Sequence, residues 1–262
     1  MRCLLLLLAL AASACAPRGL QLPTGTGEAF PDSRQALAEA VRACRDVQSL
    51  SAELAISGRV NGGKVRGRVI AGLAAPGRLR LEGTAPFGLP AFILVADGST
   101  ATLLLPRDNR VLRGESAPAI LHALVGLDLG PTDLLAILTG CVVPDPQAVE
   151  GRAYSAGWAG VDLAGGATAY LQRDARQRWR IRAGLRPRLR IEYEWPSGAG
   201  PTMVRLQVAG EARPGSDLRV GLSQVELDVR LAPEVFAVTI PADATPITLA
   251  ELTLAGPLGA GR

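Results

Sequence analysis

Aromatic side chains are scarce in this 262-residue sequence: three Trp, three Tyr and four Phe, 4% in all. A core of any size must therefore be built mainly from Leu, Val and Ala, within a hydrophobic fraction of 48%. Histidine is nearly absent. The single His122 sits beside Leu121 and Leu124 in a short helical stretch and reads as a helix-surface or satisfied core residue, not a general base. No G-x-S-x-G, no H-E-x-x-H and no cysteine pair at metal spacing occurs, which excludes the common hydrolase elbow, the zincin helix and the zinc-finger layouts. The sequence reads as non-enzymatic, without cofactor or metal. No apolar run reaches the roughly 20 residues needed to span a bilayer as a helix. Charge imbalance is small too, at +4, or +3 once Arg2 leaves with a leader, too weak a bias to argue for nucleic acid.

What is present begins with an export signal. Met1-Arg2 precedes Leu4 to Leu8 and a run of small residues ending at Ala14, the pattern of a signal peptide over residues 1–14. Ala12-Ser13-Ala14-Cys15 then resembles a bacterial lipobox, departing from it at Ala12, where leucine is usual. Acylation of Cys15 would anchor the chain on a membrane without crossing it, since each buried methylene contributes about 0.8 kcal/mol and several chains hold stably. Simple secretion with cleavage near Ala14 is the alternative. Residues 15–31, rich in Gly, Pro and Thr, are expected to form a flexible tether.

Roughly 230 residues remain, enough for one β-rich domain with a sizeable core. Asp32 or Ser33 can cap a first helix with Leu37, Val41, Cys44 and Val47 on one face. From Ala52 the period becomes two: a hairpin turns at Asn61-Gly62-Gly63, with Val65, Val69, Ala71 and Leu73 opposite Lys64, Arg66 and Arg68. That hairpin also carries Gly58-x4-Gly63-Lys64, a false phosphate-loop match: Val65 stands where Ser or Thr is required, and a strand follows in place of a helix. Later runs at 168–173, 178–182, 188–195 and 203–208 alternate as strands, and a phase change at Ser223-Gln224 predicts a bulge or tight turn. The run 235–240 is expected to close the sheet, and residues 242–262 to form a loosely ordered tail after a domain spanning 32–241. Arg173, Arg176, Arg178, Arg180 and Arg182 form the densest basic run, either a solvated sheet face or a surface drawn to anionic lipid. Cys44 and Cys141 could pair as a disulfide or remain buried thiols.

Residues 78–140 are the most informative stretch. An alternating strand breaks at Pro86-Phe87-Gly88-Leu89-Pro90, residues 91–96 are apolar on both faces, and two more strand-like runs lead to helical segments at 117–125 and 131–140. Pro131, Asp133 and Gly140 punctuate the second. Phe87 and Leu89 either fold back as core or protrude, each forgoing about 1.5 to 3 kcal/mol of burial in order to reach a bilayer or cargo.

This order of a strand, a P-[large apolar]-G turn, three strands and L-x-G-L-x-L-x-P-x-D-L-x-x-[IL]-L-x-G resembles the outer-membrane lipoprotein receptor LolB and its relatives. Read from the residues alone, the fold is an antiparallel sheet with helices on one face. The resemblance implies an α+β, mainly β fold: an incomplete antiparallel β-barrel of about ten strands, with helices packed on its concave face. It further implies a monomer at the periplasmic face of the outer membrane that receives acylated lipoproteins from a LolA-like carrier and helps insert them into outer-membrane lipid. Ala16, where aspartate would signal inner-membrane retention in enterobacteria, agrees with that location. Leu79, Leu81, Ile93, Val95, Leu103, Leu105, Leu124, Leu135 and Leu138 are the expected cavity lining, with Phe87 and Leu89 as the protruding apolar loop. Protein interaction or assembly on the same scaffold, and phospholipid or glycolipid binding, remain open alternatives.

Overall fold

The computed structural model describes residues 19–84, 89–196, 200–209 and 215–255. Its frame is a large curled sheet, left open, of β1 (Glu28–Ala29), β2 (Ser49–Val60), β3 (Gly63–Ala74), β4 (Arg78–Thr84), β5 (Phe92–Asp97), β6 (Thr100–Leu105), β7 (Arg110–Glu115), β8 (Ala148–Ala153), β9 (Ala159–Leu163), β10 (Thr168–Arg173), β11 (Trp179–Arg186), β12 (Leu189–Glu194), β13 (Met203–Val208), β14 (Ser216–Leu227) and β15 (Thr245–Pro246). Among the described residues four helices accompany it: α1 (Ser33–Ala40), α2 (Ala117–Val125), α3 (Pro131–Thr139) and α4 (Leu249–Ala255). The spatial order is β1-β8-β9-β10-β11-β12-β13-β14-β2-β3-β4-β5-β6-β7-β15, so β14 and β2 meet at the centre and join the two halves of the chain. The sheet thus has 15 strands, not the expected ten or so. Much of the excess lies in β1, β8, β9 and β15, where alternation is short or interrupted: the β8 register shifts between Ala148 and Glu150.

Pairing register assigns the faces, because residues directly opposite in an antiparallel ladder point the same way. Leu73 opposes Leu79, Leu79 opposes Ala96, and Leu94 opposes Leu103, a buried row facing the helices. On the other half Leu218 opposes Leu206, which opposes Ile191, and all three are buried. Helix α1 packs on this inner face against β8, β9 and β11, while α3 packs against β2, β3 and β4. Its buried set, Ser33, Ala36, Leu37 and Ala40, recurs at helical spacing, although Asp32 makes no side-chain cap bond.

The helix boundaries follow local chemistry. Ser116 accepts from the Ala119 N–H at 3.3 Å to start α2, and Gly126 ends it at φ 70°. Asp133 Oδ2 accepts from the Gly130 N–H at 3.3 Å at the start of α3, and Gly140 ends that helix at φ 105°. A Cβ on Gly140 would also lie 2.5 Å from the Trp195 ring, so both backbone angle and space require glycine there. Cys44, just beyond α1, and Cys141, just beyond α3, are joined in a disulfide with Cα atoms 5.7 Å apart. Beside it the buried Tyr193 hydroxyl donates to the Cys141 carbonyl at 2.8 Å, and burial pushes the phenol pKa up.

Both ends of the chain depart from expectation. In place of a flexible tether throughout, residues 19–31 lie against the domain: Arg190 Nη2 donates to the Leu20 carbonyl, Arg152 Nη1 to the Thr26 carbonyl at 3.1 Å, and β1 pairs with β8. At the other end, the run 235–240 forms no strand. After β14 the chain crosses the outer face, with a 3-10 turn at Pro233–Phe236 against β4 and β5, and Arg80 donating to the Val235 and Ala237 carbonyls. The supposedly loose tail then pairs as β15 with β7, and α4 docks on α2 with Leu252 buried. Thr248 and Glu251 cap α4 reciprocally, at 2.7 and 3.2 Å. The Ser223-Gln224 bulge is present: the β14–β2 register shifts between Ser223 and Glu226, and Gln224 has φ 50°.

The basic run around Arg178 serves a turn. Asp174 Oδ1 accepts from the Arg176 and Arg178 backbone N–H groups, and its Oδ2 from the Arg178 and Arg180 side chains, all at 2.8–3.2 Å. Arg173 stacks over Trp179 at 4.4 Å. Removal from water pushes the Asp174 carboxyl up, but those four donors outweigh it and bring the pKa from 3.8 down to about 2. A depressed carboxylate contributes stability that is present above the unfolded value of 3.8 and is lost as pH falls through about 2. An NMR titration should therefore place the Asp174 midpoint near 2, and Asp174→Asn should flatten this part of the acid-unfolding limb; a midpoint near 4 would show that the turn does not hold the charge. Because the disulfide spans 97 residues, replacing Cys44 and Cys141 together with serine should cost about 2 to 5 kcal/mol in urea unfolding. An unchanged midpoint would mean that the link does not constrain the unfolded chain.

Candidate apolar cleft and loop at one end of the sheet

The nine residues expected to line a cavity do not form one. Leu79, Leu103, Leu105, Leu124, Leu135 and Leu138 are buried in the continuous inner core, and Leu81 is half-buried against it. Ile93 and Val95 are on the opposite face: Leu81 pairs with Leu94 and Leu79 with Ala96, so it is Leu94 and Ala96 that point inward. A strand apolar on both faces gives no sign of which set faces the helices. Val95 is nonetheless buried, as are its outer-face companions Leu104, Val111 and Phe236, in the region crossed by the segment that follows β14.

A cleft of about 450 Å³ opens elsewhere on the inner side, at the end of the sheet where α2 passes to α3 and β11 turns into β12. Leu127, Leu129 and Leu189 form its buried apolar floor, with half-buried Val208 beside them; His122, Asp128, Arg186 and Arg188 stand at its margin. Two contacts hold the roof. Ser216 Oγ donates to the Val125 carbonyl at 2.7 Å, and Arg186 Nη1 bonds Asp133 Oδ1 at 2.7 Å, clamping the start of α3 to the end of β11. His122 is exposed. Among the described residues, no group of three His, Cys, Asp or Glu is placed to hold a metal, and no helix is long and apolar enough to cross a membrane.

Leu89 lies at the same end of the sheet, in the connection between β4 and β5, and is 58% exposed. Arg107, in the turn between β6 and β7, supports it by donating Nε to the Leu89 carbonyl at 3.3 Å. Phe87 and Cys15 lie outside the described residues, as do residues 1–14, where a signal peptide is expected. The leucines 127 and 129 were within reach of sequence reasoning, since they lie in the quoted L-x-G-L-x-L motif; the Leu189–Val208 wall was not, because it depends on a cross-strand pairing.

No protein-family model matches the sequence, and no curated protein matches it. Among solved structures, a LolA superfamily protein from Nitrosomonas europaea superimposes with a TM-score of 0.52 at 11% identity, covering 79% of this chain and 97% of the other. A DUF1329 family protein from Desulfovibrio piger matches at TM-score 0.47 and 14% identity, over 79% of this chain and 98% of its own. A putative outer-membrane lipoprotein-sorting protein domain from Vibrio parahaemolyticus matches at TM-score 0.44 and 10% identity, over 78% and 97%. At such identities the likeness is one of fold, and the first of these shows it: the chain has the curled open-sheet architecture of a LolA superfamily protein.

Proposed function

We propose that this protein is an envelope lipoprotein, anchored through Cys15 at the periplasmic face of the outer membrane, that takes up acyl chains of other lipoproteins and helps insert them into that membrane. The observation that carries the reading is the exposure of Leu89, flanked by Pro90, at the same end of the sheet as an apolar-floored cleft. An exposed leucine forgoes about 1.5 to 3 kcal/mol of burial, which contact with hydrocarbon would restore. The shared fold with a LolA superfamily protein supports the same reading. A periplasmic LolA-like carrier would deliver the cargo.

The filled interior changes how uptake works. An acyl chain starts on Leu189 and Val208 and advances by lifting the loop between α2 and α3, whose own buried Leu127 and Leu129 would then pack against it. Lifting it breaks the Arg186–Asp133 pair and the Ser216–Val125 hydrogen bond, at about 1 kcal/mol each. A few methylenes, at about 0.8 kcal/mol each, offset that. No nucleotide is required, because transfer into a bilayer is downhill.

A photocrosslinker at position 89 should capture acylated lipoproteins. Leu89→Glu should leave the fold intact and lower transfer of acylated cargo into vesicles roughly 10- to 100-fold, the equivalent of 1.5 to 3 kcal/mol. Normal transfer by that variant, or capture of folded non-acylated proteins only, would favour a protein-interaction role; capture of phospholipid or glycolipid would change the cargo. Labelling with a fatty acid, lost in Cys15→Ser, tests the anchor.

A further inference from the structure

The outer face of the sheet carries an unmatched basic row. On β2 the inner-facing residues are Leu50, Ala52, Leu54 and Val60, so Arg59 points outward, and its partner across the ladder is Lys64. One step along, Arg66 opposes Ser57, Ser57 opposes Arg219 on β14, and Arg219 opposes Arg205 on β13. Arg68 extends the patch, opposite Thr84 at the end of β4 that leads to the Leu89 turn. Arg59, Lys64, Arg66 and Arg68 are exposed and Arg219 is half-buried.

Like charges directly opposite one another destabilise a sheet, and here Arg59 meets Lys64 and Arg219 meets Arg205. Arg205 is ion-paired with Asp217 at 2.6 Å and Glu192 at 3.6 Å, and Asp217, which lies opposite Arg59 and near Arg219, offsets only part of the row's charge. The other five make no ion pair among the described residues. Ser57, Arg59, Lys64, Arg66, Asp217 and Arg219 border a shallow groove of about 470 Å³ on this face. The arrangement suits an anionic surface better than an isolated domain in water.

The amino-terminal segment says which surface. Gly19 lies beside Arg205 and Glu192, and Leu20 is held by Arg190, on this same outer face. Cys15 is four residues further out, a reach of at most about 14 Å even when fully extended. From Arg205 to Arg66 is three strand spacings, again about 14 Å. An anchor at Cys15 therefore cannot let this face drift far from the bilayer.

We propose that the outer face of β2, β3 and β14 is a second membrane contact, in which Arg59, Lys64, Arg66, Arg68 and Arg219 bind the phosphates of anionic phospholipids. The contact rests on the Cys15 anchor for its orientation, and through Arg68 it reaches the end of β4 that leads to Leu89. Anionic head groups attract each basic side chain enough to raise partitioning about five-fold, and that attraction fades once salt shortens the screening length from about 10 Å at 0.1 M to 3 Å at 1 M.

The test uses the full chain with Cys15→Ser, so that no anchor contributes, sedimented with vesicles of phosphatidylcholine alone or mixed with phosphatidylglycerol. Binding should require phosphatidylglycerol, disappear in high salt, and fall roughly 100-fold when Lys64, Arg66 and Arg68 are changed together to glutamine. Circular dichroism checks that the triple variant folds; Arg59→Gln with Arg219→Gln, expected to lower binding about 25-fold, serves if it does not. Equal binding to both vesicles, or binding unchanged in the folded variants, would overturn the proposal. So would retention by soluble dextran sulfate without binding to vesicles, which would assign the row to an anionic polymer. Failure of fatty-acid labelling with vesicle binding intact would remove the anchor and leave the head-group contact standing; normal capture of cargo at position 89 without preference for phosphatidylglycerol would remove the contact alone.

Discussion

An open sheet leaves two rows of unpaired backbone groups, and this molecule depends on how its own chain closes them off. At one edge β1 pairs with β8 before the chain turns under the sheet as α1. At the other, β15 pairs in parallel with β7 before α4 settles on α2. Each terminal segment thus runs along the outer face, covers an edge and ends in a helix. Exposed edges invite association with other strands. The disulfide from Cys44 to Cys141 ties the turn after α1 to the end of α3, so helices on opposite halves of the sheet cannot separate freely.

The same wrapping explains what was legible in the sequence. Helices α2 and α3 could be read closely because Pro131, Asp133 and Gly140 act locally, through backbone angle and first-turn hydrogen bonds. The bulge at Ser223-Gln224 was legible for a similar reason, since an interrupted alternation is a feature of one strand. The terminal segments were not, because Gly, Pro and Ala-rich sequence looks like a tether until one sees what it lies against. Thr245-Pro246 has no strand signature of its own; it is a strand only because the Asn109 and Val111 carbonyls accept from the Thr245 and Ile247 N–H groups at 2.8 Å.

Ile93 and Val95 illustrate the harder limit. Strand β5 is buried on both sides, by the inner core through Leu94 and Ala96 and by the returning chain through Val95. Alternation carries no information in such a strand, and register against β4 decides the faces. β8 was missed for a different reason. Gly151 faces α1 so closely that a Cβ would sit 2.1 Å from the Ser33 side chain, and a strand with glycine on its buried face lacks the apolar beat that marks strands. Glycine here records helix-to-sheet contact, visible only once the helix is in place.

A filled interior and a role in carrying hydrocarbon are compatible when the filling is movable. The core beneath α1 is pinned by the disulfide and by the Tyr193 hydroxyl on Cys141. The loop between α2 and α3 is held at its flanks by one ion pair and one hydrogen bond, and in its middle by the burial of Leu127 and Leu129. Local opening follows the weakest contacts, and entry at the end that carries Leu89 would have to move these two leucines as well as break the two polar contacts. Hydrocarbon entering there would meet Leu127, Leu129, Leu189 and Val208 on the floor, with the polar His122, Asp128, Arg186 and Arg188 left at the margin to water.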